Sequence, residues 1–401
     1  MVDLHTHDSD GYSRRGFLKS ALASAGLITV SQYEAAAQML GGTGGGDVQG
    51  WGVSPGTVQL SGNENALGPS PRAVDAILDT TYSINRYDLA PDLYGNIARR
   101  HGLPVVDVTS QFELPADAWL AVGAGSSDIL TAIAHAYFGN GGELVEVSPG
   151  FGFMARLANQ KGLNVVSVPL ADDYGPDLVA MQAAITEKTQ LVVVTTPGNP
   201  NGRLTPISAL KPFVESIPSE VLILVDEAYI DFCRQPGDRI GAAPLIADHP
   251  NLIVTRTFSK VFGMAGMRVG YALAQPDVIN RINENRANTL SILSGYAAAA
   301  ALKDHDFVRR SQELVHSGKD YFYSQMDALG VEYVRSESSF VLINLRRDVD
   351  TVVDTLAKDH DVWVANAKQR WGMDTFIRVT AGLPEENEAF VEAFKKVLVK
   401  S

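Results

Sequence analysis

From about residue 118 onward the chain alternates short apolar runs with amphipathic stretches. The runs at 118–122, 144–147, 165–168, 191–195, 221–225, 252–255 and 269–273 read as strands. Most are unbroken stretches of β-branched residues or leucine rather than in-and-out alternation, which predicts a sheet buried on both faces by helices. Strand alternating with helix in this way gives an α/β domain with a mainly parallel, seven-stranded sheet. Beyond Asn283 the pattern turns helical for roughly forty residues. Two further strand candidates, 340–345 and 376–380, then flank an amphipathic stretch. This predicts a large domain over 91–283, and an interdomain helix with a smaller α+β domain over 284–401. Residues 51–90 form an N-terminal segment joining the smaller domain, and the site is expected in the cleft between the two.

A chain of 401 residues fits two packed domains. With 45% apolar and 20% charged residues it has an ordinary soluble composition. The net charge of −13 argues against a nucleic-acid or anionic-membrane partner, leaving a small molecule or another protein. The lone Cys233 excludes an intramolecular disulfide and a cysteine-cluster metal site.

The N-terminus carries a different signal. Ser13-Arg14-Arg15-Gly16-Phe17-Leu18-Lys19 precedes a weakly apolar run at 20–30 and the small-residue pattern Ala35-Ala36-Ala37. This resembles a bacterial twin-arginine export signal over 1–37, with periplasmic or exported destination and the twin-arginine translocon as a transient partner. The apolar run is too short to span a bilayer, so no stable membrane anchor is expected. Residues 38–50, rich in glycine, read as a flexible linker.

Ligands of parallel sheets gather at the carboxyl ends of the strands, and there the sequence concentrates its chemistry. Gly123-Ala124-Gly125-Ser126-Ser127-Asp128 opens a predicted helix whose first N–H groups and hydroxyls suit a phosphate. Asn199 follows the fourth run, Asp226 and Tyr229 the fifth, and Ser259-Lys260 the sixth. An amine flanked by apolar side chains and fixed positive charge gives up its proton more readily, and Lys260 is expected to act as a nucleophile toward an aldehyde. Ser259 and Arg268 on either side of it suit a phosphate. An aldehyde and a phosphate on one ligand point to pyridoxal 5′-phosphate, with the Asp226 carboxylate keeping its pyridine nitrogen protonated.

These residues carry a family resemblance. Leu60-Ser61-Gly62-Asn63-Glu64-Asn65, Asn85-Arg86-Tyr87, Gly123 to Asp128, Asp226-Glu227-Ala228-Tyr229, Thr257-Phe258-Ser259-Lys260, Arg268-Val269-Gly270-Tyr271 and Ile377-Arg378-Val379-Thr380 stand in family order. The chain resembles a fold-type I pyridoxal-phosphate aminotransferase of class I/II, and within it the histidinol-phosphate aminotransferases. The resemblance implies that Lys260 joins the cofactor aldehyde and moves the substrate proton, and that Asp226 pairs with the pyridinium. It assigns Asn199 and Tyr229 to the ring's phenolic oxygen, and Gly125, Ser126, Ser127, Ser259 and Arg268 to the phosphate. Phe151 takes the place of a ring-stacking tyrosine. Arg378 would clamp the substrate carboxylate, with Glu64 and Asp88 at the substrate side. Tyr87 would be donated across a homodimer interface, giving composite sites.

Substrate identity divides the readings. Where histidinol-phosphate enzymes usually carry an arginine for the substrate phosphate this chain has Ala365, and Asp88 replaces the family's proline after Arg86-Tyr87. Losing a cation and gaining an anion favours a basic amino acid as donor, unless Lys368 or Arg370 restores the charge. Transamination with a 2-oxo acid acceptor is the leading expectation. An oxidase that passes the electrons to O2, as in related arginine oxidases, is the second. An exported binding protein on a retired enzyme fold is the third, disfavoured because Lys260 and Asp226 are both present.

Overall fold

The computed structural model describes residues 50–400 apart from 91, 111 and 112. The twin-arginine segment and nearly all of the glycine-rich linker therefore lie outside the described residues. The chain enters through the short strand β1 (Val58–Leu60), then α1 (Pro71–Thr80) and α2 (Leu93–Arg100). Helix α1 starts where Ser70 accepts the N–H of Ala73 and Pro71 supplies its fixed φ at the first turn.

The large sheet follows. Its strands are β2 (Leu120–Gly123), β3 (Glu143–Ser148), β4 (Asn164–Pro169), β5 (Thr189–Thr195), β6 (Leu222–Asp226), β7 (Leu252–Thr257) and β8 (Gly270–Leu273). Between them run α3 (Ser126–Tyr137), α4 (Phe153–Gln160), α5 (Leu178–Ala183) and α6 (Ile207–Ser216). The spatial order is β2-β8-β7-β6-β5-β3-β4, with β8 antiparallel to both neighbours and the other pairings parallel. Val145, Val192, Val194, Ile223, Val225 and Val254 enter one core, while Leu144, Leu191, Val193, Leu222, Leu224 and Ile253 enter the other. Both faces are thus covered, and this is why the strands read as continuous apolar runs.

Helices α7 (Pro276–Glu284), α8 (Ile292–Ala301) and α9 (His305–Leu329) lead to the second sheet. Helix α9 is 25 residues long, begins at Asp304, which accepts from the N–H of Phe307, and ends at Gly330 in the left-handed region. Ser70 donates to Asp304 at 2.7 Å, tying the starts of α1 and α9 together. The second sheet contains β9 (Glu332–Val334), β10 (Phe340–Asn344), β11 (Val362–Asn366) and β12 (Phe376–Thr380), in the order β1-β11-β12-β10-β9. It is covered by α10 (Asp350–His360), α11 (Ala367–Trp371) and α12 (Pro384–Lys400).

Three of its strands were not anticipated. Strands β1 and β9 have three residues each, too few for a period to show, and β11 lies inside a stretch that reads as amphipathic helix. The segment 51–90 divides: β1 pairs in parallel with β11, whereas α1 packs on α8. One apolar core runs from Val225 and Val254 through Leu60, Phe340, Ile377 and Phe390, so the two sheets share an interior. No helix of the described residues is long and apolar enough to cross a membrane.

Candidate active site

The carboxyl ends of the parallel strands converge because parallel neighbours finish on the same edge. Asp226 ends β6, in register with Thr195 of β5 and Thr255 of β7. Its carboxylate is 4% exposed and accepts from Thr255 Oγ1 at 3.0 Å. The nearby cation is taken, because Arg256 pairs at 2.8 Å with Glu227, which also accepts the Ala242 N–H. Asp226 is therefore a buried carboxylate whose partners are a hydroxyl and the N–H of Ala228. Burial pushes its pKa up to about 6, with the Thr255 hydrogen bond opposing and the Glu227 charge adding. A protonated pyridine nitrogen is the kind of partner this position lacks.

The phosphate end is built from three elements. Helix α3 opens at Ser126 after Gly125, whose φ of +86° suits glycine. A Cβ at Gly125 would collide with the Arg268 guanidinium, and one at Gly270 with the backbone nitrogen of Ser126. Both glycines let the helix start, the arginine and β8 crowd together. Arg268 donates to Ser127 Oγ at 3.1 Å, to Ser259 Oγ at 3.4 Å and to the Ala265 carbonyl at 3.0 Å. One guanidinium, three hydroxyls and the N–H groups of Ser126 and Ser127 at the start of a 12-residue helix form an anion cradle. Cradle and buried acid together fit pyridoxal phosphate.

Lys260 lies between these ends, although its amine is not set among apolar groups as expected. Phe258, Val261, Phe262 and Met264 are buried around its backbone, but Nζ donates to the carbonyls of Asn63 at 3.0 Å and Gly62 at 3.4 Å. Nζ also lies 5.6 Å from the centre of the Tyr229 ring. The Tyr229 hydroxyl accepts from Asn63 Nδ2 at 2.9 Å. Asn63 itself is buried with φ of +55°, a conformation asparagine tolerates. Its N–H donates to Thr380 Oγ1, and its Oδ1 accepts from the same hydroxyl. The 61–63 segment is thus the seam between Lys260 and Tyr229 of the large sheet and β12 of the small one.

Arg378 stands on the other side of that seam. It is 3% exposed, donates to Asn199 Oδ1 at 2.6 Å and to the Ser61 carbonyl at 2.9 Å, and leaves Nε without a partner. Phe340 and Trp371 lie 4.9 and 4.7 Å from its guanidinium carbon and fix the plane. Burial, reinforced by Arg370, lowers its pKa to about 10, so it stays cationic at neutral pH. Asn199, buried, joins the cofactor side to the substrate side: its oxygen is held by Arg378 and its amide nitrogen remains as the donor.

The other expected residues stand further out. Phe151 is 47% exposed and stacks on Phe153 at 6.0 Å. The Glu64 carboxylate folds back to within 2.7 Å of where a Gly62 Cβ would stand. Asp88 accepts from Tyr296 and from the Leu89 N–H. Tyr87 is 87% exposed, in a stretch with the exposed Leu78, Tyr82 and Ile84. Reading by strand ends missed Ser61, Asn63, Thr255, Phe340 and Trp371. The left-handed Asn63 within Ser61-Gly62-Asn63-Glu64-Asn65 carried a turn signal; the others carried none.

Asp226 gives a pH prediction. Its folded pKa of about 6 exceeds an unfolded value near 3.9. Folding therefore takes up a proton between roughly pH 4 and 6, and cofactor-free protein loses about 3 kcal/mol as pH rises through that window. Asp226→Asn is expected to melt higher than wild type at pH 8 without cofactor while binding pyridoxal phosphate more weakly. Thermal melts at pH 4 and 8 with a cofactor titration check this, and identical cofactor-free melts at pH 8 would refute it.

A family model described as aminotransferase class I and II matches residues 55–394. The chain is similar to the histidinol-phosphate aminotransferase of Moorella thermoacetica, 36% identical over 342 residues, 85% of each chain. It is also similar to histidinol-phosphate aminotransferase 2 of Pseudomonas aeruginosa, 37% identical over 358 residues, covering 86% of this chain and 91% of that one. A solved structure like it is the histidinol-phosphate aminotransferase of Sinorhizobium meliloti in complex with pyridoxal-5′-phosphate. That likeness has a TM-score of 0.75 and 26% identity, and covers 86% of this chain and 91% of the other.

Proposed function

We propose, from the premise that this chain belongs to the class I and II aminotransferase family and works with pyridoxal 5′-phosphate, that its amino donor presents an anionic group to Arg378. The observation that carries this is the buried, doubly stacked Arg378 with Nε unpartnered and no ion pair among the described residues. A planar fork held in this way suits a carboxylate or phosphate.

When bound, the cofactor supplies an electron sink for the donor Cα. The chain supplies the rest. Arg378 and Asn199 would orient the donor, and Asp226, itself held by the Thr255 hydroxyl, would keep the ring nitrogen protonated. Lys260 Nζ, beside the Gly62 and Asn63 carbonyls, would carry the proton between donor Cα and the carbon that comes from the cofactor's aldehyde.

A basic donor rested on Ala365 and Asp88. Asp88 takes hydrogen bonds from Tyr296 and Leu89, while Arg370 Nη1 reaches the Ser61 carbonyl that also accepts from Arg378. A cation absent at 365 thus returns from α11, which supports an anionic donor; the relatives' names make histidinol phosphate the first to test. The experiment measures glutamate formation from 2-oxoglutarate with histidinol phosphate, arginine or lysine as donor, on an oxygen electrode. Turnover with histidinol phosphate that needs the 2-oxo acid is expected. Turnover confined to arginine or lysine would overturn the donor assignment, and oxygen uptake without a 2-oxo acid would overturn transamination.

The exposed Leu78, Tyr82, Ile84 and Tyr87 support a homodimer in which Tyr87 serves the partner's site. Export rests on the Arg14-Arg15 pattern alone. Replacing both arginines by lysine is expected to leave the enzyme in the cytoplasmic fraction, and unchanged export would remove the twin-arginine assignment.

A further inference from the structure

Lys368, Arg370 and Trp371 sit together on α11, and the structure commits them differently. Lys368 is spent, bonded to Asp348 and, at 2.7 Å, to Asp350. Trp371 lies against Arg378. Arg370 is exposed, its described hydrogen bond is the 3.4 Å contact with the Ser61 carbonyl, and no described residue pairs it with a carboxylate. Arg378 Nη2 donates to that same carbonyl at 2.9 Å. Two guanidinium groups therefore meet on one backbone oxygen with no acid between them, a like-charge arrangement that an anion would relieve.

Space for that anion is present. A cavity of about 500 Å³ has Arg370 and Trp371 on one wall and Glu146, Ser148, Asn159 and Ser167 on the others. Ala365 stands directly across from Arg378 in the β11–β12 register, on the same face. Glu146 need not repel an anion here, because burial pushes its pKa up to about 7, so a substantial share of it is protonated at neutral pH.

We propose that Arg370 is a specificity-determining residue that receives the distal carboxylate of a dicarboxylic 2-oxo acid whose α-carboxylate lies on Arg378. The inference rests on the transaminase reading. Arg378 takes the first carboxylate and Arg370 takes the second. Acceptors with one carboxylate use Arg378 alone.

The test compares 2-oxoglutarate with pyruvate as acceptor, on holoenzyme at fixed amino donor, for wild type, Arg370→Ala and Arg370→Lys. Loss of one charge-assisted contact is expected to raise the KM for 2-oxoglutarate by about 10- to 100-fold more than the KM for pyruvate. The lysine variant should recover part of the loss. Calorimetric titration of holoenzyme with glutarate, an unreactive dicarboxylate, against butyrate gives a readout independent of turnover. Glutarate should bind more weakly to Arg370→Ala than to wild type, and butyrate equally to both. A rise in KM of the same size for both acceptors, or an unchanged glutarate Kd, would overturn the proposal. If wild type transaminates nothing, the proposed function fails and the glutarate titration alone decides the role of Arg370.

Discussion

Replacing Lys260 by alanine is expected to lower the transamination rate by about 10⁴-fold or more, because one amine serves both as covalent anchor and as proton carrier. The described contacts of Nζ are two backbone carbonyls and the Tyr229 ring face, so the variant should fold and melt close to wild type. Borohydride treatment of the holoenzyme, followed by peptide mass spectrometry, should place the fixed cofactor on Lys260 and find none in Lys260→Ala. The competing amine is Lys319. Burial pushes its pKa down to about 8, so a share of it is neutral near neutral pH. It is fully buried in α9 and donates to the Ser336 carbonyl at 2.7 Å, so an aldehyde has no approach. Cofactor fixed on Lys319 in the wild-type protein would overturn the assignment.

Arg378→Leu is expected to reduce kcat/KM by about 10²- to 10³-fold, the cost of leaving a bound anion without its buried fork. The loss should fall mainly on KM, since the contact exists before and during the reaction. Arg378→Lys keeps a charge but loses the planar fork stacked between Phe340 and Trp371, and should fall between the two. Because wild-type Arg378 is a buried cation with no acid partner among the described residues, Arg378→Leu should not lower the melting temperature of substrate-free protein. A pH series gives a second check: with a pKa near 10, the arginine loses its charge, and anionic substrates their grip, only at strongly alkaline pH. A kcat/KM for Arg378→Leu within about threefold of wild type would exclude the carboxylate-clamp role.

Much of the large domain was legible because its determinants are local. Most strands from β2 to β8 are apolar runs that the sheet buries on both faces, the edge strand β4 being the exposed exception, and parallel strands deliver their carboxyl ends to one edge whatever lies between them. Reading the residues after each run therefore collected Ser126, Asn199, Asp226 and Lys260 without coordinates. The same logic failed for β1, β9 and β11, whose pairing is decided by partners rather than by their own pattern.

By itself, then, the sequence determined an α/β domain carrying a lysine, a carboxylate and a phosphate cradle on one edge, because periodicity and strand order are properties of neighbouring residues. What it could not supply are contacts across long separations. Ser61 meets Arg378 across 317 residues, and Asn63 meets both Tyr229 and Thr380. Lys368 and Arg370, two residues apart, look equally able to restore the charge missing at Ala365. The fold turns Lys368 onto Asp348 and Asp350 and brings Arg370 beside Arg378. That choice follows from the orientation of a five-residue helix between two paired strands, an orientation set by packing and register and not by the pattern of apolar and polar positions.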